Sequence, residues 1–208
     1  PFGHIERPTT RNTSWEEAKF EVCGHKWADL SEGDYGVALM NNCKYGYDAK
    51  ENVLRLSLLR SPVRPDPGSD EGEHRFTYSL LPHRGSWREE GITRRAYELN
   101  SPSVAVDAGE AGSGRLPASF SLLQPESKSL IVEAVKQPEE GEGLIVRSFD
   151  ALGSRGRIRF TAGTKLSEVK STDLMEENEA SLPVLQEREF TDEFTPYEIR
   201  THRLLPEK

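Results

Sequence analysis

Histidine and carboxylate side chains are the groups in this chain whose chemistry could support catalysis or metal binding. The five histidines are His4, His25, His74, His83 and His202. None of them forms an i, i+4 pair or has a neighbouring carboxylate in ligand register, so the pattern does not predict a zinc site. The sequence also lacks a G-x-S-x-G nucleophile turn, a P-loop and a G-x-G-x-x-G turn. We therefore expect no catalytic residue and no metal ligand here.

The two cysteines, Cys23 and Cys43, lie in apolar, strand-like contexts. Since no base stands at a recognisable spacing from either thiol, we expect both to be small buried hydrophobic side chains. A secreted disulfide framework would usually contain more cysteines in regular pairs, so the count favours a reducing, cytoplasmic compartment.

The charge distribution restricts the classes of partner. The formal net charge is -8, and no block of Lys and Arg alternates with aromatic residues, as a phosphate-binding surface would require. No apolar run reaches the length of about 18 residues that a membrane-spanning helix needs. The sequence therefore predicts neither a nucleic-acid partner nor a membrane partner.

Short apolar runs separated by turn residues indicate an antiparallel, all-β fold. Charged residues make up 30% of the chain and hydrophobic residues 35%, which suits sheets with one solvated face. Residues 52–59 alternate between apolar and polar positions, as a half-buried strand does. Helical spacing occurs only at residues 91–100, where Ile92, Ala96 and Leu99 recur before Pro102, so we predict one short helix.

Two small domains fit the length of 208 residues better than one large core. Residues 107–116 are rich in Gly, Ala, Ser and Glu and are predicted to be a linker or long loop. This divides the chain into a first β-sandwich at 1–106 and a second, smaller β-sandwich at 117–208. The opening residues 1–13 lack a start methionine and any strand or helix period, so we expect the first sandwich to be truncated at its N-terminus.

Three long blocks carry a family resemblance. They are PFGHIERPTTRNTSWEEAKFEV, HKWADLSEGDYGVALMNNCKYGYD and NVLRLSLLRSPVRPDPGSDEGEHRFTYSLLPHRGSW, which together fill most of residues 1–87. These blocks closely resemble the C-terminal region of glycoside hydrolase family 38 α-mannosidases of the bacterial and cytosolic type. The segment FTPYEIRTHRLLP at residues 194–206 is similar to the strand that ends the small β-domain of the same enzymes.

The resemblance implies a retaining exo-α-mannosidase whose catalytic parts lie outside this sequence. Its nucleophilic aspartate and a zinc ion held by histidines and aspartates would belong to an N-terminal β/α domain. The β-domains would form part of a larger super-sandwich that packs behind that domain and closes part of one side of its cleft. The expected partners are therefore the N-terminal catalytic domain of the same polypeptide and an α-mannoside substrate.

Four residues are candidates for contact with the substrate. Lys44, Tyr45 and Tyr47 belong to a Lys-Tyr-Gly-Tyr-Asp segment between two predicted strands, where aromatic faces and a cation could reach a sugar. The alternative is a tight turn in which Gly46 supplies a positive φ and the tyrosines pack on the sandwich. Arg60 ends an apolar strand, and its guanidinium could hold a hydroxyl or form an ordinary ion pair.

Two other functions remain open at this stage. The chain could be an autonomous carbohydrate-binding module that uses Tyr45, Tyr47 and an exposed tryptophan, or it could be an oligomerisation domain that forms a homo-oligomer. Trp15, Trp27 and Trp87 are interpreted as structural, because tryptophans in sheet proteins more often fill cores.

Overall fold

The computed structural model describes residues 2–107, 109, 114 and 117–207, and the chain divides into two compact units. The N-terminal unit is Ile5–Ala105, and the C-terminal unit is Val106–Lys208 together with Pro1–His4. Most of the predicted linker at 107–116 lies outside the described residues, so that segment and the domain limits drawn from it stay predictions. The all-β fold class is confirmed, although the described residues contain three short helices where the sequence predicted one.

The N-terminal unit contains two antiparallel, three-stranded sheets with the strand orders β1-β4-β5 and β2-β3-β6. Its elements are α1 (Ser14–Ala18), β1 (Val22–Cys23), β2 (Trp27–Ser31), β3 (Tyr35–Asn41), β4 (Gly46–Lys50), β5 (Val53–Ser57), β6 (Tyr78–Arg84), α2 (Trp87–Glu90) and α3 (Ile92–Asn100).

Helix α3 is the helix that the apolar spacing predicted. Its Ile92 and Ala96 are fully buried, and the helix packs against β3. The preceding helix α2 begins with a capping box, in which the Ser86 and Glu89 side chains each accept a hydrogen bond from the other residue's backbone N–H. Gly91 separates the two helices with a left-handed backbone, φ 72°, that a residue with a Cβ rarely adopts. Helices α2 and α3 therefore end and begin at one glycine.

The C-terminal unit is a sandwich of a three-stranded sheet, order β13-β10-β7, and a five-stranded sheet, order β12-β11-β14-β9-β8. Its strands are β7 (Leu123–Pro125), β8 (Leu130–Lys136), β9 (Leu144–Asp150), β10 (Gly156–Ala162), β11 (Leu166–Thr172), β12 (Ala180–Leu182), β13 (Glu189–Phe194) and β14 (Ile199–Pro206).

Three phenylalanines form the centre of the C-terminal core. Phe160, Phe190 and Phe194 are fully or almost fully buried, and Phe160 stacks on Phe190 with ring centroids 4.7 Å apart. The buried His202 ring lies against all three and places its Nε2 2.9 Å from Asp192 Oδ2. Burial raises the pKa of the Asp192 carboxyl, but the hydrogen bond to His202 and its charge outweigh burial and lower that pKa below its usual value.

Two expectations about burial are wrong. Cys23 and Cys43 are both free and exposed, because Cys23 belongs to a two-residue strand and Cys43 to the loop after β3. Trp15 is 79% exposed on the short helix α1, whereas Trp87 is buried as predicted and Trp27 is half-buried. None of the helices in the described part of the chain combines the length and the apolar composition that crossing a bilayer requires.

Candidate functional site

Strand pairing brings distant parts of the N-terminal unit together around Gly46. In the sheet β1-β4-β5, Cys23 pairs with Gly46, and Gly46 pairs with Ser57. Neighbouring strands lie about 5 Å apart, so these three positions and the side chains linked to them by contacts form one cluster. We call this cluster the Gly46 patch; it consists of Glu21, Cys23, His25, Tyr45, Gly46, Ser57 and Arg60.

The polar half of the Gly46 patch is a carboxylate next to a guanidinium. Glu21 Oε1 accepts a hydrogen bond from Ser57 Oγ, which fixes the carboxylate over Gly46. A Cβ at Gly46 would collide with that carboxylate, so the glycine allows the close approach. Arg60 Nη1 lies 3.8 Å from Glu21 Oε2, and the Arg60 side chain is 76% exposed. The two opposite charges are therefore close enough to attract each other, but the distance is too long for a hydrogen bond.

The aromatic half of the Gly46 patch is a pair of tilted rings. The Tyr45 and His25 ring centroids are 5.0 Å apart at an interplanar angle of 54°, and Tyr45 is 54% exposed. Gly24 N donates a 2.9 Å hydrogen bond to Tyr45 O, which anchors the backbone beneath the rings. Cys23 Sγ lies 3.7 Å from His25 Nε2. Two rings are thus presented to solvent on a hydrogen-bonded backbone.

Lys44, the neighbour of Tyr45, is directed to another contact. Its Nζ lies 4.8 Å from the centre of the Phe76 ring. Its backbone N donates to Asn41 Oδ1, as does the N of Cys43, so the fully buried Asn41 holds the loop between β3 and β4. The ammonium of Lys44 therefore makes a cation–π contact with Phe76, and Lys44 is not counted in the Gly46 patch.

Tyr47 lies inside the unit. The predicted loop ends earlier than expected, since β4 begins at Gly46. The alternative of a tight turn is wrong about a positive φ at Gly46, but its packing of the tyrosines is confirmed for Tyr47. The Tyr47 side chain is 3% exposed, and its hydroxyl accepts a hydrogen bond from Asn41 Nδ2. Burial, only partly offset by that bond, raises the pKa of Tyr47 to about 12. Substrate contact by Lys44, Tyr45, Tyr47 and Arg60 stays a prediction, and Tyr47 could make it only if the core opened.

The sheet β2-β3-β6 carries an exposed apolar surface. Cross-strand pairs such as Val37 with Pro82 and Leu39 with Leu80 lie on one face of the sheet. On this face Leu80 is 62% exposed and Tyr78 is 55% exposed. We call it the Leu80 face, defined by Tyr35, Val37, Tyr78, Leu80 and Pro82. Leu39 on the same face is buried, so the exposed apolar side chains lie mainly along the edge strand β6. Exposed apolar side chains grouped in this way are typical of a surface that packs against another part of a protein.

The opposite face of the same sheet holds a buried histidine. His83 Nε2 lies 2.7 Å from Asp29 Oδ1, with both side chains almost completely buried. Burial lowers the pKa of His83, but the hydrogen bond to Asp29 and its charge outweigh burial and raise that pKa above its usual value. His83 pairs across the strands with Gly36, whose missing side chain leaves room for the ring. This face is covered by the helices, where the Trp27 and Trp87 ring centroids are 5.1 Å apart.

Glu21, His25 and Ser57 could not be recognised from the sequence as members of a common surface. Each is an ordinary residue of a strand or turn, and no local spacing distinguishes it. Within the described ranges, no group of three or more His, Cys, Asp and Glu side chains is placed to hold a metal ion. The zinc ion that the resemblance implies therefore does not fit the described residues.

Comparisons with known proteins match both units. The family described as "Glycosyl hydrolases family 38 C-terminal domain" matches residues 1–68, and that described as "Glycosyl hydrolases family 38 C-terminal beta sandwich domain" matches residues 129–202. Alpha-mannosidase 2C1 of Mus musculus is 40% identical over 204 residues, which cover 96% of this chain and 19% of the relative. Alpha-mannosidase G of Dictyostelium discoideum is 39% identical over 210 residues, which cover 98% of this chain and 19% of the relative.

A solved structure shares the fold. The crystal structure of an alpha-mannosidase from Enterococcus faecalis V583 matches with a TM-score of 0.75 at 19% sequence identity. The match covers 97% of this chain and 23% of that chain. This chain thus spans only a small part of the length of each of these relatives.

Proposed function

We propose that this chain, which belongs to glycoside hydrolase family 38, is the non-catalytic C-terminal part of a retaining exo-α-mannosidase. The observation that carries the proposal is the match of both units to the C-terminal models of this family, together with two relatives named α-mannosidases that are about five times longer. In this proposal the chain braces a catalytic domain and closes part of its cleft, and terminal α-mannosides are the substrates.

The reacting groups of the proposed enzyme lie outside this chain. Glycoside cleavage with retention needs two carboxyl groups about 5 Å apart, and the family resemblance adds a zinc ion. Ion-paired carboxylates of the N-terminal unit include Asp48, which contacts Arg11 and Arg55. Asp29 contacts His83, and Glu21 lies near Arg60. In the proposal the nucleophile and the zinc ligands belong to the N-terminal part of the polypeptide.

The Leu80 face is the surface by which this chain would brace the catalytic part. Its exposed tyrosines and Leu80 would gain about 25 cal/mol for each Å² removed from water. The relatives carry most of their length outside the matched region, so the same polypeptide supplies a partner at high effective concentration.

The two free cysteines support a cytoplasmic location, as their number first indicated.

Substrate contact is assigned in this proposal to Tyr45 and Arg60 of the Gly46 patch and to Lys44, the neighbour of Tyr45 in the chain. The exposed ring pair also favours a second candidate function, an autonomous carbohydrate-binding module, because such modules need solvent-facing aromatic rings. An oligomerisation domain is a third candidate, for which the Leu80 face would be the contact surface.

The test compares the chain alone with the intact polypeptide that contains it. We expect the purified, zinc-supplemented chain to leave an aryl α-mannoside uncleaved, and the intact polypeptide to release the aryl group. Turnover by the chain alone would contradict the proposal. Calorimetric titration with mannose oligosaccharides and sizing in solution separate the other candidates, since affinity in the isolated chain favours the module and a dimer of the intact polypeptide favours oligomerisation.

A variant on the Leu80 face tests the bracing role. Leu80→Asp places a charge on this face, and it should lower the activity and the melting temperature of the intact polypeptide. Met175→Asp is the matched control, because Met175 is an exposed apolar residue of the C-terminal unit, outside the Leu80 face. Equal effects of the two substitutions would rule out the Leu80 face as the bracing surface.

A further inference from the structure

The gap between Glu21 and Arg60 leaves both groups with unused hydrogen-bonding capacity. Hydrogen bonds between nitrogen and oxygen span about 2.7 to 3.2 Å, and Arg60 Nη1 lies 3.8 Å from Glu21 Oε2. The other carboxylate oxygen, Oε1, is fixed by Ser57 Oγ, so Glu21 cannot easily turn towards the guanidinium. An oxygen acceptor and a nitrogen donor are therefore held side by side at an accessible surface.

The chemistry of this pair selects the type of ligand. A carboxylate only accepts hydrogen bonds, and a guanidinium only donates them. A phosphate or carboxylate ligand would be repelled by Glu21, and an ammonium ligand would be repelled by Arg60. A hydroxyl group both donates and accepts, so two neighbouring hydroxyls on one ligand satisfy both side chains without a charge mismatch. The pair therefore favours a neutral polyol with adjacent hydroxyls.

The two rings of the same patch, which are linked to the pair through Cys23 and Gly46, select the shape of that polyol. Tyr45 and His25 present tilted aromatic faces whose backbone is fixed by the hydrogen bond from Gly24. Aromatic faces pack well against an apolar body that carries a polar edge. A pyranose ring has this character, because its C–H groups form an apolar patch and its hydroxyls lie around the rim.

We propose that the Gly46 patch is a saccharide subsite in which Glu21 and Arg60 hold adjacent hydroxyls while His25 and Tyr45 pack on the sugar's C–H groups. This inference rests on the proposed function and deepens it, since it adds Glu21 and His25 as specificity-determining residues and names a neutral hexose as the group they bind. Gly46 provides the open floor, because any side chain there would meet the Glu21 carboxylate.

The test measures affinity in the intact polypeptide with a ligand that resists cleavage. The probe is a sulfur-linked α-mannobiose, titrated by calorimetry against the parent protein and single variants. Glu21→Gln keeps the shape but removes the charge of the acceptor, and His25→Ala removes one ring. Each should weaken binding about tenfold, the size expected for one charge-assisted hydrogen bond or one ring contact. His74→Ala is the matched control, because His74 is an exposed histidine outside the patch, and it should bind like the parent.

Each result decides the question. Weakening by Glu21→Gln and His25→Ala, with no change for His74→Ala, supports the subsite. Parent-like affinity in Glu21→Gln and His25→Ala overturns the subsite, and so does a parent protein that does not bind the probe. Hydrolysis of an aryl α-mannoside by the same preparation distinguishes failure of the subsite from failure of the proposed function. If only the subsite is wrong, the polypeptide still hydrolyses the aryl α-mannoside; if the proposed function is wrong, it does not. Thermal melts of the variants must match the parent, and Glu21→Gln, which keeps its shape, serves if His25→Ala unfolds.

Discussion

Replacing Gly36 by alanine should break the buried contact between His83 and Asp29. A Cβ on Gly36 would lie 2.6 Å from both Cε1 and Nε2 of the His83 ring and 2.7 Å from Ser31 Cβ. These separations are well below van der Waals contact, and the ring is enclosed by the sheet and the helices. The imidazole must therefore move, and its 2.7 Å hydrogen bond to Asp29 cannot survive the movement.

The structure sets the size of this effect. Overpacking a close-packed site costs about 1–3 kcal/mol. Losing a buried hydrogen bond to a charged group costs about 1.5–3 kcal/mol more, because Asp29 stays buried without its partner. We therefore expect Gly36→Ala to lower the free energy of unfolding of the N-terminal unit by about 3–5 kcal/mol. Domains are stable by only about 5–15 kcal/mol, so the loss would bring this unit close to unfolding.

The contribution of the histidine also depends on pH. Asp29 raises the pKa of His83 in the folded state, so the folded protein binds this proton more tightly than the unfolded chain does. The stabilisation is complete below about pH 6.5, the ordinary histidine pKa, and it is lost as the pH rises through the raised pKa. Unfolding of the parent should thus require less urea at pH 8 than at pH 6, and Gly36→Ala should reduce that difference.

Tryptophan fluorescence measures this prediction selectively, because Trp15, Trp27 and Trp87 all belong to the N-terminal unit. Urea titrations at pH 6 and pH 8 give the free energy of unfolding for the parent and the variants. Gly33→Ala is the control, since a Cβ there meets nothing within 4 Å, and its effect should stay within about 0.5 kcal/mol. If Gly36→Ala proves as stable as Gly33→Ala, the close approach of His83 to β3 is refuted.

Three further predictions concern both units. Asp192→Asn should cost about 1.5–3 kcal/mol of stability at neutral pH by weakening the buried hydrogen bond to His202. Because the pKa of Asp192 is lowered in the folded state, the difference in melting temperature between parent and variant should shrink as the pH falls through that pKa. A difference that does not depend on pH would contradict the role of the Asp192 charge. Phe160→Ala should destabilise the C-terminal unit by about 3–5 kcal/mol, measured by hydrogen exchange of its strands, and a loss below 1 kcal/mol would contradict the packed core. Cys23 and Cys43 should both react with a thiol reagent in the folded chain, and a requirement for urea would contradict their exposure.

Local patterns predicted the elements that local physics determines. The strand predicted at residues 52–59 and the helix at 91–100 follow from apolar periods that one segment carries by itself, and β5 and α3 lie in these ranges. Strand β4 has only two apolar side chains, Tyr47 and Ala49, at alternate positions, which is too short a period to predict a strand. It becomes a strand because it lies between β1 and β5 and pairs with both. Propensity could not reveal that pairing, which depends on contacts between distant segments.

The candidate site was partly predictable for the same reason. Arg60 was recognisable as a charge at the end of an apolar strand, and Tyr45 as an aromatic residue in a turn-rich segment. Their common surface with Glu21 and His25 depends on the register of three strands, and a shift by one residue would turn Glu21 away. The burial of Tyr47 follows from that register too, because in β4 its side chain points to the face opposite Gly46.

The two units differ in where their large apolar side chains lie, and this difference predicts which of them depends on the rest of the polypeptide. The C-terminal unit encloses Phe160, Phe190 and Phe194, and its Leu174 and Met175, which are more than half exposed, lie in a turn. The N-terminal unit leaves Tyr78 and Leu80 more than half exposed on one sheet face. Covering that face should stabilise the N-terminal unit alone. Amide hydrogen exchange should therefore slow in β3 and β6 when the chain is part of the intact polypeptide, while β9 and β10 exchange at the same rate as in the isolated chain. Equal slowing in both units would mean that the Leu80 face is not the surface that is covered.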